Sequence, residues 1–191
     1  MGANYMTDPL VFLIDTVVSL YILAVVLRFL LQWIRADFYN PISQFLVKIT
    51  HPPLRILRRF VPAIGRIDTS SLLLAILLQT LANYAILALK GLSISILALL
   101  VLSFADLLKI LLDVFVYAIF AGAILSWFAP ASYSSVAGII YSLTEPLLSI
   151  CRRILPDLGA IDLSPLVALV LLQLAKMMIL PPLQQLAGLL S

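Results

Sequence analysis

Charged residues are scarce in this chain of 191 residues, where they make up 11% of the sequence. Soluble domains carry roughly a quarter. Hydrophobic residues account for 63%, and they fall into long uninterrupted blocks. The composition excludes an ordinary soluble domain and predicts an integral membrane protein.

Cysteine and histidine are almost absent, since Cys151 and His51 are the only examples. A lone cysteine excludes an internal disulfide and any multi-cysteine metal site. No nucleophile–base pair or metal-ligand cluster stands out, and the stretch GRIDTSS at 65–71 has one glycine where a phosphate-binding loop needs several. We therefore expect no enzyme and no resident metal or cofactor.

The excess of basic residues is small, giving a net charge of +3. These residues cluster beside the apolar blocks, where lipid headgroups are the nearest anions. The pattern predicts contact with anionic phospholipid and no binding of nucleic acid.

Four apolar blocks are long enough to cross a bilayer, whose core needs roughly 20 residues of helix. They cover residues 10–34, 71–89, 104–128 and 164–180. The residues before the first block include Asp8 and no basic residue, so this block is predicted to stay as a membrane helix and not to be cleaved as a signal.

The chain contains one unit twice, offset by 94 residues: RRFVPAIGRID at 58–68 corresponds to RRILPDLGAID at 152–162. Rare residue types match as well as apolar ones, which favours duplication over shared composition. Further matches are Trp33/Trp127, Tyr39/Tyr133, Thr50/Thr144, Pro52/Pro146, Ser70/Ser164 and Gln79/Gln173.

The fold predicted from this repeat is an all-α membrane protein with four transmembrane helices in two tandem units. The units cover 1–103 and 104–191. Each unit contains a polar segment between its two spans, and we call these segments the first elbow, at 40–68, and the second elbow, at 134–162. An even number of spans per unit makes the repeats parallel. Residues 92–103 are apolar but only about half of a span, so we expect an extension at the membrane edge; if they crossed, the repeats would be antiparallel.

Lysine and arginine are concentrated in the two elbows, which predicts that both elbows are cytoplasmic and both termini outside. In each elbow an apolar stripe predicts an amphipathic helix lying in the headgroup plane. The prolines at 52–53 and Pro146 are predicted to break that helix.

The elbow motif consists of Pro62, Gly65 and Asp68 in the first copy and Pro156, Gly159 and Asp162 in the second. The proline is predicted to end a helix and the glycine to turn the chain back towards the bilayer. Asp68 or Ser70 is then expected to cap the next span, and Ser164 to cap its counterpart before Pro165.

The basic side chains of the elbows have three possible roles. They close the loop onto the motif aspartates, they contact anionic lipid, or they dock a partner protein. The candidates for lipid or partner contact are Arg55, Arg58, Arg59, Arg152 and Arg153.

Ionisable and amide groups inside the spans are functional candidates because their burial in lipid is costly. Lys176 lies level with Asp15 and near Asp113, which predicts a Lys–Asp pair with one of them, while Arg28 is placed to snorkel. The amides of Gln79, Asn83 and Gln173 either join helices, at about 0.6–2 kcal/mol per contact, or line a hydrophilic pathway.

The duplicated pattern W-x5-Y … T-x-P-x-L-x-I-x-RR-x2-P-x2-G-x-ID-x-S resembles the YggT family, called YlmG in Gram-positive bacteria and plastids. The first unit departs from it through Pro53 and Arg66. The resemblance implies a small bacterial inner-membrane protein without established catalysis. Relatives are linked to division machinery, to assembly of plastid cytochrome complexes, and to osmotic tolerance through ion uptake.

Two functions follow as hypotheses. The first is a non-enzymatic inner-membrane scaffold or assembly factor that docks membrane proteins through its basic elbows. The second is an ion transport or channel component linked to osmotic stress. Four short spans hardly enclose a pore, so the second requires a homo-oligomer or a partner.

Overall fold

The computed structural model describes residues 4–37, 39–64, 67–128, 135–154 and 162–191, and the side chains from residue 7 to residue 126 and from 135 onward within those ranges. These parts are helical and contain no strand, apart from an isolated bridge between Ile64 and Ile67. The six helices are α1 (Asn4–Trp33), α2 (Pro41–Leu57), α3 (Thr69–Leu89), α4 (Ile96–Phe128), α5 (Ser135–Ile154) and α6 (Ser164–Leu190).

Among the described residues, three helices are long and apolar enough to cross a membrane: α1 over Thr7–Trp33, α3, and α6. Their outer faces expose large apolar side chains, including Phe12, Leu81 and Met178. Such surfaces suit lipid and not water. The prediction of an all-helical membrane protein is thus supported.

Helix α4 runs without interruption from Ile96 to Phe128, about 50 Å at 1.5 Å per residue. Residues 96–103, expected to be an extension at the membrane edge, thus belong to the same helix as the predicted span at 104–128. The helix begins earlier because Ser95 caps it, its hydroxyl accepting the Ala98 N–H at 3.2 Å. No proline or glycine interrupts 96–121.

Helix α6 likewise runs past the predicted end at 180, through Pro181 and Pro182.

The two units have the same pattern of helix contacts. Helices α1, α2 and α3 pack against one another, and so do α4, α5 and α6, while the units meet chiefly between α3 and α4. The main core contains Val25, Leu30, Leu54 and Phe115. Near the start of α4, the Ser95 hydroxyl also donates to the Leu190 carbonyl at 2.5 Å, tying α4 to the end of α6.

The elbow helices α2 and α5 continue through their internal prolines, so the predicted breaks at 51–53 and at Glu145–Pro146 are wrong. A proline removes the hydrogen bond to the carbonyl four residues earlier, so Pro53 frees the carbonyl of Ile49. The Tyr21 hydroxyl on α1 donates to that carbonyl at 3.2 Å. This bond satisfies the carbonyl that Pro53 leaves without its helical donor.

The second unit has neither the second proline nor the tyrosine. At the positions matching Tyr21 and Pro53 it has Phe115 and Leu147. Leucine keeps its backbone N–H for the helix ladder, so the phenylalanine at 115 can be a plain core residue. The hydroxyl and the second proline thus occur together in one unit and are absent together from the other.

Replacing Tyr21 with phenylalanine is expected to destabilise the protein by about 1 kcal/mol, because the Ile49 carbonyl loses its donor while the ring stays in place. The measurement is the midpoint of denaturation by SDS in mixed micelles, followed by circular dichroism. Tyr117→Phe is the control, since Tyr117 is exposed on α4. An equal effect of the two substitutions would contradict the assignment.

Candidate functional site

The first elbow is closed by an ion pair between Arg58 and Asp68. Arg58 Nη2 lies 2.5 Å from Asp68 Oδ2, and the carboxylate side chain is 1% exposed. Asp68 is also the N-cap of α3: its Oδ1 accepts the Ser71 N–H at 3.4 Å, and its Oδ2 accepts the Ser71 hydroxyl at 2.8 Å. Burial by itself would raise the pKa of this carboxyl, but the hydrogen bonds from Arg58 and Ser71 outweigh it and hold the pKa below its ordinary value.

The second elbow has the corresponding ion pair in a more exposed form. Arg152 Nε lies 3.1 Å from Asp162 Oδ2, whose side chain is 49% exposed, and Arg152 Nη1 lies 2.9 Å from Glu145 Oε1. Hydrogen bonding from Ser164 is the chief cause that lowers the pKa of Asp162. The expectation that Ser164 is the N-cap is wrong. Ser164 is the first helical residue, because Asp162 Oδ1 already accepts its N–H at 2.8 Å.

The turn of the first elbow is tied to the start of α3 by two hydroxyls. Ser70 Oγ donates to the Val61 carbonyl at 2.6 Å, and Thr69 Oγ1 donates to the Pro62 carbonyl at 2.7 Å. Ser70 therefore anchors the turn, and Asp68 is the cap. The predicted turn residues Gly65, Pro156 and Gly159 lie outside the described residues.

Each Arg–Arg pair divides into one engaged and one outward arginine. Arg58 and Arg152 close onto the motif aspartates, whereas Arg59 and Arg153 are exposed and have no ion pair with another described residue. Arg55 is exposed in the same way. Large apolar side chains are exposed beside them: Ile56, Phe60, Ile150 and Ile154. We call these the basic elbow surfaces, made of Arg55, Ile56, Arg59 and Phe60 in the first elbow and Ile150, Arg153 and Ile154 in the second.

Arg28 does not snorkel outward. It is buried, and its Nη1 donates to Thr50 Oγ1 at 2.8 Å and to the Val47 carbonyl at 3.2 Å. It therefore fastens α2 to α1 from inside. Sequence reasoning missed this role, and the repeat gave no signal for it, because the position matching Arg28 is Gly122.

An amide network joins α3 to α4. Gln79 Nε2 donates to Asn83 Oδ1 at 3.2 Å, and Asn83 Nδ2 donates to Asp106 Oδ2 at 2.9 Å and to Ser103 Oγ at 3.2 Å. Gln79 is buried, whereas its match Gln173 is exposed on α6. The structure thus does not bring the two glutamines together, and the contacts of Gln79 and Asn83 are those of a helix–helix interface.

Lys176 on α6 forms an ion pair with Asp113 on α4. Both side chains are largely buried, 18% and 24% exposed respectively. The sequence left Asp15 and Asp113 as possible partners of Lys176, and in the structure the partner is Asp113. Asp15 is exposed and accepts a hydrogen bond from Ser19 at 3.5 Å. In the described part of the chain, no group of three or more His, Cys, Asp or Glu side chains is placed to hold a metal ion.

Comparison with known proteins agrees with the repeat. The CCB3/YggT family model matches twice, over residues 7–89 and 101–183, and both ends of the two matches are 94 residues apart. An uncharacterized protein of Pseudomonas aeruginosa is 44% identical over 93% of this chain and 91% of its own length. An uncharacterized protein of Haemophilus influenzae is 42% identical over 83% of this chain and 84% of its own length.

The uncharacterized protein YggT of Escherichia coli is 38% identical over 89% of this chain and 88% of its own length. No solved structure matches. The family model covers most of the chain in two copies, and three relatives are similar over nearly their full lengths. The chain therefore belongs to the CCB3/YggT family.

Proposed function

We propose that this protein is a non-enzymatic scaffold or assembly factor of the bacterial inner membrane that docks other membrane proteins through its two elbows. The observation that carries the proposal is the pair of basic elbow surfaces. Their outward arginines are unpaired among the described residues, and they lie beside exposed apolar side chains. Interfaces favour this combination of arginine and large apolar groups.

The elbows are held in place, which a docking surface requires. Arg58 and Arg152 bind them to the starts of α3 and α6, and Arg28 fastens α2 from inside. The elbows also touch each other, because Asn40 Nδ2 donates to the Ser135 carbonyl at 2.6 Å. The two basic elbow surfaces are thus fixed relative to the helices, which limits the entropy lost when a partner binds.

The proposal includes four spans in two parallel units. Helix α4 is a span in addition to α1, α3 and α6, so that each unit has two. Residues 96–103 lie in the same helix as 104–128, so they do not supply a separate crossing. This supports an even number of spans per unit, with both elbows on the cytoplasmic side and both termini outside. Anionic phospholipid headgroups would then meet the outward arginines wherever no protein partner covers them.

The test is native mass spectrometry of the protein extracted gently from its own membrane. We expect a defined complex with other membrane proteins, whose recovery falls about tenfold when Arg55, Arg59 and Arg153 are all changed to alanine, since exposed charges contribute up to about 1 kcal/mol each. The control is Lys90→Ala with Lys109→Ala, which removes exposed lysines outside the elbows. Recovery that is equal in the two variants would contradict docking through the elbows.

One observation favours the transport alternative. Gln173 is exposed on α6 next to Leu174, and it has no hydrogen bond to another described residue. An amide on a lipid-facing surface is readily satisfied by a second copy of the chain. A closed homo-oligomer without other proteins, together with ion flux in liposomes that Gln173→Leu abolishes, would favour transport over docking.

A further inference from the structure

The second unit contains an open cavity of about 780 Å³ between α4, α5 and α6. Ligand pockets typically measure about 300–1,000 Å³, so the space suits a small molecule or a lipid headgroup. Gly122 on α4, Thr144 and Glu145 on α5, and Leu166 and Val170 on α6 are among the residues that line it.

The first unit fills the corresponding space with the side chain of Arg28. Shifted by 94 residues, Arg28 corresponds to Gly122, and its two acceptor residues Val47 and Thr50 correspond to Tyr141 and Thr144. Gly122, Tyr141 and Thr144 all line the cavity. The cavity therefore lies where the duplicated fold holds a guanidinium in the first unit and lacks one in the second.

The space in the second unit is also surrounded by more negative charge than the corresponding space in the first. Around Arg28 the first unit has Arg58 and Asp68, giving two cations and one carboxylate, and His51 stands at the position that matches Glu145. At the matching positions the second unit has Gly122, Glu145, Arg152 and Asp162, giving one cation and two carboxylates. The cavity has lost an internal cation and gained an acid, so it favours a positively charged occupant.

Hydrogen-bond acceptors are placed for such an occupant. Thr144 is buried, and its hydroxyl donates to the Ile140 carbonyl at 2.9 Å, which leaves the oxygen able to accept. Thr50 shows the complete arrangement, because its hydroxyl donates to the Leu46 carbonyl at 2.6 Å while it accepts from Arg28. Arg152 binds Asp162 through Nε and Glu145 through Nη1, and its Nη2 is left to donate beside these acceptors. The wall formed by Ile119, Leu166, Leu169 and Val170 is apolar.

We propose that this cavity binds the headgroup of a phospholipid bearing a primary amine, of the phosphatidylethanolamine class. The ammonium group donates to the Glu145 carboxylate and to the Thr144 hydroxyl oxygen, and the phosphate oxygens accept from Arg152. The start of an acyl chain lies along Leu166 and Val170. An anionic lipid without an amine leaves the extra carboxylate uncompensated. A free amine makes no use of the apolar wall. This inference is independent of docking at the basic elbow surfaces.

The test is native mass spectrometry of the protein in detergent with equal amounts of phosphatidylethanolamine, phosphatidylcholine and phosphatidylglycerol. We expect preferential retention of phosphatidylethanolamine, because the quaternary amine of phosphatidylcholine has the same charge but no N–H to donate. Glu145→Gln should reduce this preference about tenfold, the size expected for losing a charge-assisted hydrogen bond. His51→Gln, at the matching position of the first unit, should leave it unchanged.

A second pair of variants tests the cavity itself. Gly122→Arg installs the guanidinium of the first unit and should abolish retention, whereas Gly122→Ala should keep it. Both place a Cβ 3.3 Å from Ile140 Cγ2, so both impose the same steric change and only the arginine fills the space. If the arginine variant fails to fold, Glu145→Gln still decides the question.

Four results would overturn the proposal. The first is equal retention of phosphatidylethanolamine and phosphatidylcholine, and the second is a preference for phosphatidylglycerol. The third is loss of a co-purifying protein, with lipid retention unchanged, in Glu145→Gln; that result would assign the cavity to a basic side chain of a partner. Displacement of the lipid by free phosphoethanolamine at equal concentration would likewise exclude a role for the apolar wall.

Discussion

Replacing Asp68 with alanine is expected to lower the free energy of unfolding by about 2–3 kcal/mol, combining a lost helix cap with a broken ion pair whose arginine is partly exposed. The carboxylate is almost fully buried, caps α3 and pairs with Arg58. Its removal takes the carboxylate acceptor away from the Ser71 hydroxyl and from the Arg58 guanidinium, while the Ser71 N–H keeps only the Asp68 backbone carbonyl at 3.0 Å. Denaturation by SDS in mixed micelles, followed by circular dichroism, measures the effect.

The repeat supplies a matched control for this substitution. Asp162→Ala removes the corresponding aspartate, but that side chain is half exposed and its arginine keeps Glu145, so we expect a loss below about 1 kcal/mol. If the free energy of unfolding fell equally in the two variants, the burial of Asp68 would not be what makes its ion pair the more stabilising one.

Acidification gives an independent check on Asp68. Its pKa lies below the ordinary value in the folded protein, so the stability it contributes is fully present above about pH 4, the ordinary aspartate pKa, and is lost as pH falls through the folded pKa. The difference in unfolding midpoint between the wild type and Asp68→Asn should therefore shrink as the pH is lowered below 4. A difference that stays constant down to pH 2 would contradict the assignment.

Replacing Lys176 with methionine is expected to destabilise the protein by about 2–3 kcal/mol, since it leaves the carboxylate of Asp113 without a counter-ion between apolar helices. Asp113→Asn should have a similar effect by leaving the ammonium unpaired. The same SDS denaturation assay gives both values.

The double variant Lys176→Met with Asp113→Asn separates pairing from general disruption. Because neither charge remains, we expect it to lose less stability than the sum of the two single variants, with a coupling of about 1–3 kcal/mol. Asp15→Asn is the control, since Asp15 is exposed and does not contact Lys176. Strict additivity of the two substitutions would show that the pair contributes nothing.

The two units use one fold with different internal chemistry. The first is fastened from inside by Arg28 and by Tyr21, whereas the second has a glycine and a phenylalanine at these positions and an ion pair, Lys176–Asp113, between its long helices. Duplication thus preserved the elbow closure and allowed the interior to diverge. The cavity of the second unit is a direct consequence of that divergence.

Much of this could be predicted from local sequence. Length and apolarity predict membrane helices because a bilayer core has a fixed thickness, and the matched rare residues predict the repeat. The Asp68 cap of α3 also follows from local chemistry. The breaks at the elbow prolines were predicted wrongly, since both helices continue through them. The carbonyl freed by Pro53 finds its donor, Tyr21, on another helix, which local sequence does not reveal.

The sequence by itself determined the class of protein, the duplication and the presence of Arg–Asp motifs, since these depend on composition and on spacing along the chain. Only the tertiary structure decided which arginine of each pair turns inward, which aspartate meets Lys176, and that Gly122 opens a cavity where Arg28 fills one. These outcomes depend on which side chains converge from different helices. That convergence is set by helix packing, and spacing along the chain does not contain it.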